Sequence, residues 1–281
     1  MIFNDIYEQK EFINNGSFGV VFKVIEKGNN NKHYALKFMK RNLSIEYEKE
    51  IETMKNLNNR YIIKLKDNFF DENNNGYCIV MELCDGNLND ILNKNQSGLP
   101  LNVVEHIFEQ LNKALKTMIN KEIIHRDLKP ENILIKYTDK NKTNFDIKLT
   151  DFGFSTNEIN SSIHTYSFAG SVNYIAPEIE TNHYNNKCDL WSLGIILYEL
   201  YTNKYIFDSN IPIEREMNRY KGNIVKETDN EMINKLIRKL IQVDIKQRIE
   251  WEEYFKDDFF KIKKEKEKEN LSELKSNLLV I

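Results

Sequence analysis

His125-Arg126-Asp127-Leu128-Lys129-Pro130-Glu131-Asn132 places an acid, a cation and an amide at fixed offsets within one short run. Phosphoryl transfer needs those groups together: an acid to orient the attacking hydroxyl, a cation to neutralise the moving phosphoryl group, and an amide to help hold a metal ion. Downstream, Asp151-Phe152-Gly153 offers a carboxylate as a second metal ligand. A short acidic motif alone says little. The full run, with its partner downstream, sets the reading of the rest of the chain.

Upstream, Gly16-Ser17-Phe18-Gly19-Val20-Val21 lies between two β-rich stretches. Glycines there let backbone amides approach phosphate oxygens closely, although a plain hairpin turn has the same composition. Lys37, in Tyr34-Ala35-Leu36-Lys37-Phe38, faces away from its apolar neighbours because side chains alternate along a strand. A lysine beneath the glycine loop needs an acid to hold it. The next helical stretch offers Glu46, Glu48, Glu50 and Glu52.

The first 80 or so residues read as strand and turn. Phe12-Ile13, Val20–Ile25 and Tyr34–Met39 are β-rich, as are Ile62–Phe70 and Gly76–Met81. Between them, Tyr47, Ile51, Met54 and Leu57 recur at helical spacing. The clusters Asn29–Asn31 and Asn73–Asn75 read as loops, since Asn tolerates left-handed backbone. From Leu88 onward the pattern is helical. Val103–Asn120 carries an apolar stripe (Val104, Ile107, Phe108, Leu111, Leu115, Met118), Leu190–Tyr201 is apolar nearly all round, and Met232–Val243 is amphipathic. A small β-rich lobe joined to a larger helical one implies a cleft between them, where ligands commonly bind.

The chain has 281 residues, a formal net charge of −3 and intermixed charges, so no global basic field points to nucleic acid. Cys78, Cys84 and Cys188 have no metal-site spacing and suit a reducing compartment, cytoplasmic or nuclear. No signal pattern opens the sequence, and the apolar run Leu193–Leu200 falls well short of the roughly 20 residues that span a bilayer. The expectation is a soluble protein with no membrane partner. Lys261–Ile281 begins as a Lys/Glu alternation and reads as a charged tail.

From Tyr7 to Phe260 the chain resembles a eukaryotic-type serine/threonine protein kinase. The resemblance is carried, in family order, by the glycine loop, Lys37, Glu50, the His125–Asn132 run, Asp151-Phe152-Gly153, Ala176-Pro177-Glu178, Asp189–Gly194 and Arg248. It implies an α+β, bilobal kinase fold: N-lobe and hinge 1–84, C-lobe 85–260, tail 261–281. It also implies ATP and Mg²⁺ as cofactors, with Asp127 and Lys129 as catalytic groups. Lys37 would meet the phosphates and be held by Glu50, with Glu46 as the alternate acid because the Lys37-to-Glu50 interval is short for the family. Asn132 and Asp151 would hold the metal. Asn14, Gly16, Gly19, Val21, Ala35, Met81, Glu82, Cys84 and Leu134 would line the nucleotide site, with Asn14 standing where the family has its first glycine. Val21, Ala35 and Leu134 would sandwich adenine, and the Glu82 carbonyl and Cys84 backbone would hydrogen-bond it. Asn87 would approach ribose or peptide.

The same resemblance gives structural roles to other residues. Glu178 would pair with Arg248, Asp189 would bind the backbone around Arg126, and His125, Phe152 and Met54 would form a buried column. Ser167, with Thr165 second, would be the phosphosite whose phosphate meets Arg126, added by an upstream kinase or by autophosphorylation; Ser171 would contact the catalytic groups. The partners implied are proteins with Ser/Thr acceptors, and Glu131 would attract a basic residue upstream of the acceptor. The polar stretch Tyr137–Asn144 resembles a hairpin tip of calcium/calmodulin-dependent-like kinases. The rival reading is a pseudokinase scaffold that binds nucleotide without turnover, and the intact set Lys37, Asp127, Asn132 and Asp151 weighs against it. A kinase for small molecules is opposed by Ala176-Pro177-Glu178 with the Ser171 peptide platform.

Overall fold

A computed structural model describes residues 1–16, 18–156, 172–181, 184–207, 212–222, 224 and 226–261. The N-terminal part is an antiparallel sheet of β1 (Ile2–Phe3), β2 (Tyr7–Gly16), β3 (Gly19–Glu26), β4 (Asn29–Lys40), β5 (Leu65–Asp71) and β6 (Gly76–Glu82), in the order β1-β2-β3-β4-β6-β5. One helix, α1 (Ser44–Asn56), packs on β5 and β6. Period-two alternation buries both faces of β6. Cys78 and Val80 join Phe3, Tyr7, Val24 and Leu36 on one side, while Ile79 and Met81 join the main core on the other.

The C-terminal part is helical around a small sheet. Its elements are β7 (Gly86–Asn87), α2 (Leu88–Lys94), α3 (Leu101–Ile119), β8 (Ile133–Tyr137), β9 (Phe145–Leu149), α4 (Cys188–Thr202), α5 (Pro212–Lys221), α6 (Glu231–Leu240) and α7 (Trp251–Tyr254). This is the expected bilobal α+β architecture. The whole apolar stripe of α3 is buried, and α4 is buried on nearly every side, as its all-round hydrophobicity requires. Gln110 of α3 closes the outer edge of β9: its Oε1 accepts from Ile147 N at 2.8 Å and its Nε2 donates to Phe145 O at 3.1 Å. A side-chain amide thereby does the work of a neighbouring strand.

Three expectations shift, and one short strand is added to them. Asn73–Asn75 form a turn, with Asn75 left-handed at φ 51°, but Asn29–Asn31 open β4 and the reversal falls at Lys27-Gly28. Ile62–Lys64 precede β5 instead of starting it: Ile62 bridges Leu149 in parallel, so this segment ties the lobes together. The last amphipathic helix stops at Leu240, three residues short of Val243. The pair Ile2–Phe3 forms an edge strand, too short to show a period.

Candidate active site

Cross-strand register explains where Lys37 points. In the ladders Val21 pairs with Lys37, Lys37 with Ile79, and Ala35 with Met81, so Val21, Ala35, Lys37 and Met81 share the sheet face that carries α1. Lys37 Nζ donates to both Glu50 oxygens, at 2.9 and 2.8 Å, and to Asp151 Oδ1 at 2.9 Å. One cation from the small lobe is thus shared between a helix of its own lobe and the start of the Asp151-Phe152-Gly153 motif. Burial penalises all three charges. At Lys37 the two carboxylates outweigh it and hold the ammonium above its ordinary range, and at Asp151 the lysine pulls the carboxyl down. At Glu50 burial is the larger effect and lifts the carboxyl.

The loop before β8 gathers the second group. Lys129 Nζ donates to Asp127 Oδ2 at 2.8 Å, and Asn132 Nδ2 donates to the same oxygen at 2.9 Å and to Asp127 O at 2.8 Å. The loop backbone is held from below by Asp189 at the start of α4, whose two oxygens accept from His125 N and Arg126 N, both at 2.8 Å. Burial pushes that carboxyl above its usual range, against the pull of these amides. Two residues hold left-handed backbone here, Arg126 at φ 67° and Asp151 at φ 65°. His125 is fully buried. Its Nδ1 accepts from Asp127 N at 3.3 Å, which leaves the proton on Nε2 to donate to Thr150 O at 3.1 Å. Thr150 N in turn donates to Asn132 O at 3.0 Å, so the Asp127 loop and the strand leading to Asp151 are stitched together. His125 also rests 5.4 Å from Phe152, and Met54 lies in the same buried cluster.

Of the residues expected to line a nucleotide, Val21, Ala35 and Met81 share the sheet face of Lys37. Gly16 and Gly19 face each other at the β2–β3 turn, and a side chain at Gly19 would come within 2.3 Å of Phe38 O, so only glycine fits. Asn14 sits in the β2–β3 ladder opposite Val21 without a left-handed backbone, its Oδ1 accepting from Asn15 N at 2.7 Å. Leu134 of β8 packs on the core that holds Met81. Cys84 lies between β6 and β7, and its backbone makes no hydrogen bond among the described residues. Burial pushes its thiol up to about 12, which leaves it a poor nucleophile at neutral pH. Asn87 has a structural task of its own: its Oδ1 caps α2 by accepting from Asp90 N at 3.0 Å, and Asp90 Oδ2 accepts from Asn87 N in a reciprocal capping box. Ser17, Thr165, Ser167 and Ser171 lie outside the described residues.

Three features escaped the sequence reading. Phe18 folds from the glycine loop onto Phe154, ring centroids 4.5 Å apart, and over Lys37 Nζ at 5.7 Å; a Cβ on Gly153 would collide with it at 2.6 Å. Glu199, alone as an acid inside the apolar α4 run, accepts from the Tyr174 hydroxyl at 2.6 Å. Burial pushes its carboxyl up to about 7, with Tyr174 opposing and Glu131 adding to the rise. An acid isolated in a buried helix was the available signal. The third is the side chain of Glu82, which pairs with Lys136 and Lys148 of the β8–β9 hairpin.

A family model described as "Protein kinase domain" matches residues 7–260. This chain belongs to the protein kinase domain family. The kinase domain is 32% identical over 266 residues to human "Serine/threonine-protein kinase ULK1", covering 90% of this chain and 25% of that protein. It is 36% identical over 210 residues to Arabidopsis thaliana "Serine/threonine-protein kinase TIO", covering 73% of this chain and 15% of the relative. It is 30% identical over 260 residues to bovine "Serine/threonine-protein kinase 33", covering 87% of this chain and 53% of the relative. The chain therefore spans between about a seventh and a half of these relatives' lengths. Among the described residues of the kinase domain, no helix is long and apolar enough to cross a membrane.

Proposed function

We propose that this chain is a protein serine/threonine kinase that transfers the γ-phosphoryl group of ATP to Ser/Thr hydroxyls of proteins, with residues 7–260 as one catalytic domain (N-lobe 1–84, C-lobe 85–260) and 261–281 as a charged tail. The observation that carries the reading is the Lys37 ammonium, held at once by Glu50 and by Asp151. The names of the relatives favour Ser/Thr acceptors. Asp127 orients the acceptor hydroxyl and takes its proton, and Lys129, already on Asp127, neutralises charge on the phosphoryl oxygens. Lys37 meets the nucleotide phosphates, while Val21 and Ala35 above and Leu134 below enclose adenine.

The donor set fits Mg²⁺. Asn132 and Asp151 present hard oxygens, and among the described residues no cluster of three or more His, Cys, Asp or Glu forms a closed metal cage. A site of one carboxylate and one amide, completed by substrate phosphates and water, suits magnesium. Bound there, the ion would neutralise charge on the phosphates. Asn132 is pre-set for this because its Nδ2 is used on Asp127, turning Oδ1 outward as the ligand atom. Incubation with Mg²⁺, radiolabelled ATP and generic protein substrates should label serine or threonine. Nucleotide binding with no transfer would favour the scaffold reading instead.

Two finer points belong to the same proposal. Arg126 is buried and donates to Phe154 O at 2.5 Å and to the Tyr184 hydroxyl at 2.7 Å, so it anchors the chain just past Gly153. Phosphorylation at Ser167, by an upstream kinase or in cis, would add a charged partner for this arginine and raise activity. A Ser167→Ala protein with full activity and unchanged phosphate content would overturn that.

The second point is substrate choice. One oxygen of Glu131 is buried without a hydrogen-bond partner among the described residues, and Glu131 and Glu199 repel each other beside Tyr174. A cationic substrate side chain would relieve both. Glu199 is mostly neutral below pH 7 and ionised above it, so preference for a peptide with arginine upstream of the acceptor over its alanine analogue should grow from pH 6 to pH 8. The gain should be about tenfold, the low end of one charge-assisted hydrogen bond. Glu199→Gln should flatten the profile; a flat profile in the parent protein would remove the idea.

A further inference from the structure

The backbone of Glu82 is a proposed adenine contact, but its side chain has a separate set of partners. The carboxylate, 17% exposed, pairs with Lys136 Nζ of β8 through Oε2 and with Lys148 Nζ of β9 at 3.2 Å through Oε1. Oε1 also accepts from Lys64 N at 3.0 Å, while Glu82 N donates to Lys64 O at 3.1 Å. Lys148 Nζ additionally donates to Arg60 O at 2.6 Å. Both lysines outweigh the burial of Glu82 and hold its carboxyl below the usual range. One side chain at the end of β6 therefore joins the entry to β5 in the small lobe to both strands of the hairpin in the large lobe.

The register gives this clamp a target. Lys148 is the cross-strand partner of Leu134, and Lys136 stands two residues along from Leu134 on the same strand. Cross-strand partners and residues two apart share a face. The two lysines therefore flank Leu134 on its own face of the hairpin. Beyond Glu82, only Leu83 and Cys84 separate the sheet of the small lobe from the next tether, Asp85 N donating to Ile135 O at 2.8 Å.

We propose that Glu82 is a positioning residue: through Lys136 and Lys148 it fixes the height of Leu134 beneath the hinge, and so the width of the adenine slot before nucleotide arrives. The inference rests on the kinase reading above and on Leu134 flooring that slot. Removing the charge loosens the hairpin at its Lys136 and Lys148 positions beneath the hinge, so binding must re-assemble the slot, while the loop carrying Asp127 keeps a second anchor, Asp189 on His125 N and Arg126 N.

Glu82→Gln should raise the KM for ATP and the dissociation constant of a fluorescent ATP analogue by about tenfold, equivalent to one charge-assisted hydrogen bond, with a smaller effect on kcat. Lys136→Met, at a half-exposed position, should give a smaller rise in the same direction without risk to folding. Glu82→Gln combined with Lys148→Met should weaken nucleotide binding less than the sum of the single variants. Ala35→Trp, opposite Met81 in the ladder, separates the two readings by filling the slot. If Ala35→Trp blocks the analogue while both Glu82→Gln and Lys136→Met bind as the parent does, the clamp is refuted and the slot stands. If a folded Ala35→Trp protein binds the analogue normally, the slot reading fails and the clamp fails with it.

Discussion

Asp127→Asn is expected to lower phosphoryl transfer by roughly 10²- to 10⁴-fold, the range for loss of a positioned acid–base group, while ATP binding persists. The side chain is isosteric, and its neighbours explain why the fold should survive. Lys129 and Asn132 both donate to Asp127 Oδ2, and an amide oxygen can still accept from them. What disappears is the negative charge proposed to orient the hydroxyl and receive its proton. Steady-state rates with a protein substrate, beside direct measurement of nucleotide affinity, separate the two effects. Equal turnover by the variant would remove Asp127 from the chemistry. Equal loss of binding and rate would make its role structural.

The largest stability effect is expected at Arg248, only 1% exposed. Its guanidinium pairs with Glu178 at 2.5 and 3.0 Å, donates to Lys187 O at 2.8 Å and to Gln242 O at 3.0 and 2.7 Å, and lies 5.2 Å over the Trp191 ring. Arg248→Ala removes the guanidinium from the buried Glu178 carboxylate and from Gln242 O, while Lys187 O keeps Leu190 N at 3.1 Å. Breaking a buried pair in this way costs about 3–5 kcal/mol, a fall in Tm of roughly 6–20 °C for a domain of this size. Glu178→Gln should cost less, because the arginine keeps its carbonyl partners. Glu178 sits in the turn Pro177–Thr181, a few residues from Tyr174, so part of the Arg248→Ala defect should appear as weaker peptide binding. A change in Tm below about 2 °C would show that the pair is not holding this region.

Much of this site was legible because its chemistry is local in sequence. Asp127, Lys129 and Asn132 meet within one loop, and period-two alternation alone turns Lys37 inward. The choice between Glu46 and Glu50 was harder for a physical reason. The two are four residues apart and therefore on one face of α1, separated by a single helical turn. The short turn Arg41–Leu43 feeds β4 directly into α1, which accommodates the short interval and brings Glu50 to the lysine; Glu46 stays half-buried one turn earlier. Asn87 was ambiguous because an amide before a helix reads equally as a ligand group and as a cap, and only the reciprocal bonds with Asp90 reveal the cap. Glu82 and Gln110 act across long sequence separations, on Lys136 and on the edge of β9, and neither partner leaves a local pattern to read.

The left-handed backbones of Arg126 and Asp151 carry a consequence for how such a chain can change. A non-glycine residue in that region costs about 1–3 kcal/mol, less for an aspartate than for an arginine, and glycine sits there without strain. Glycine at either position would relieve that strain but lose the guanidinium that reaches Phe154 O or the carboxylate that meets Lys37. At both positions the fold thus carries backbone strain that glycine would relieve, and holds in return side-chain contacts that glycine cannot make.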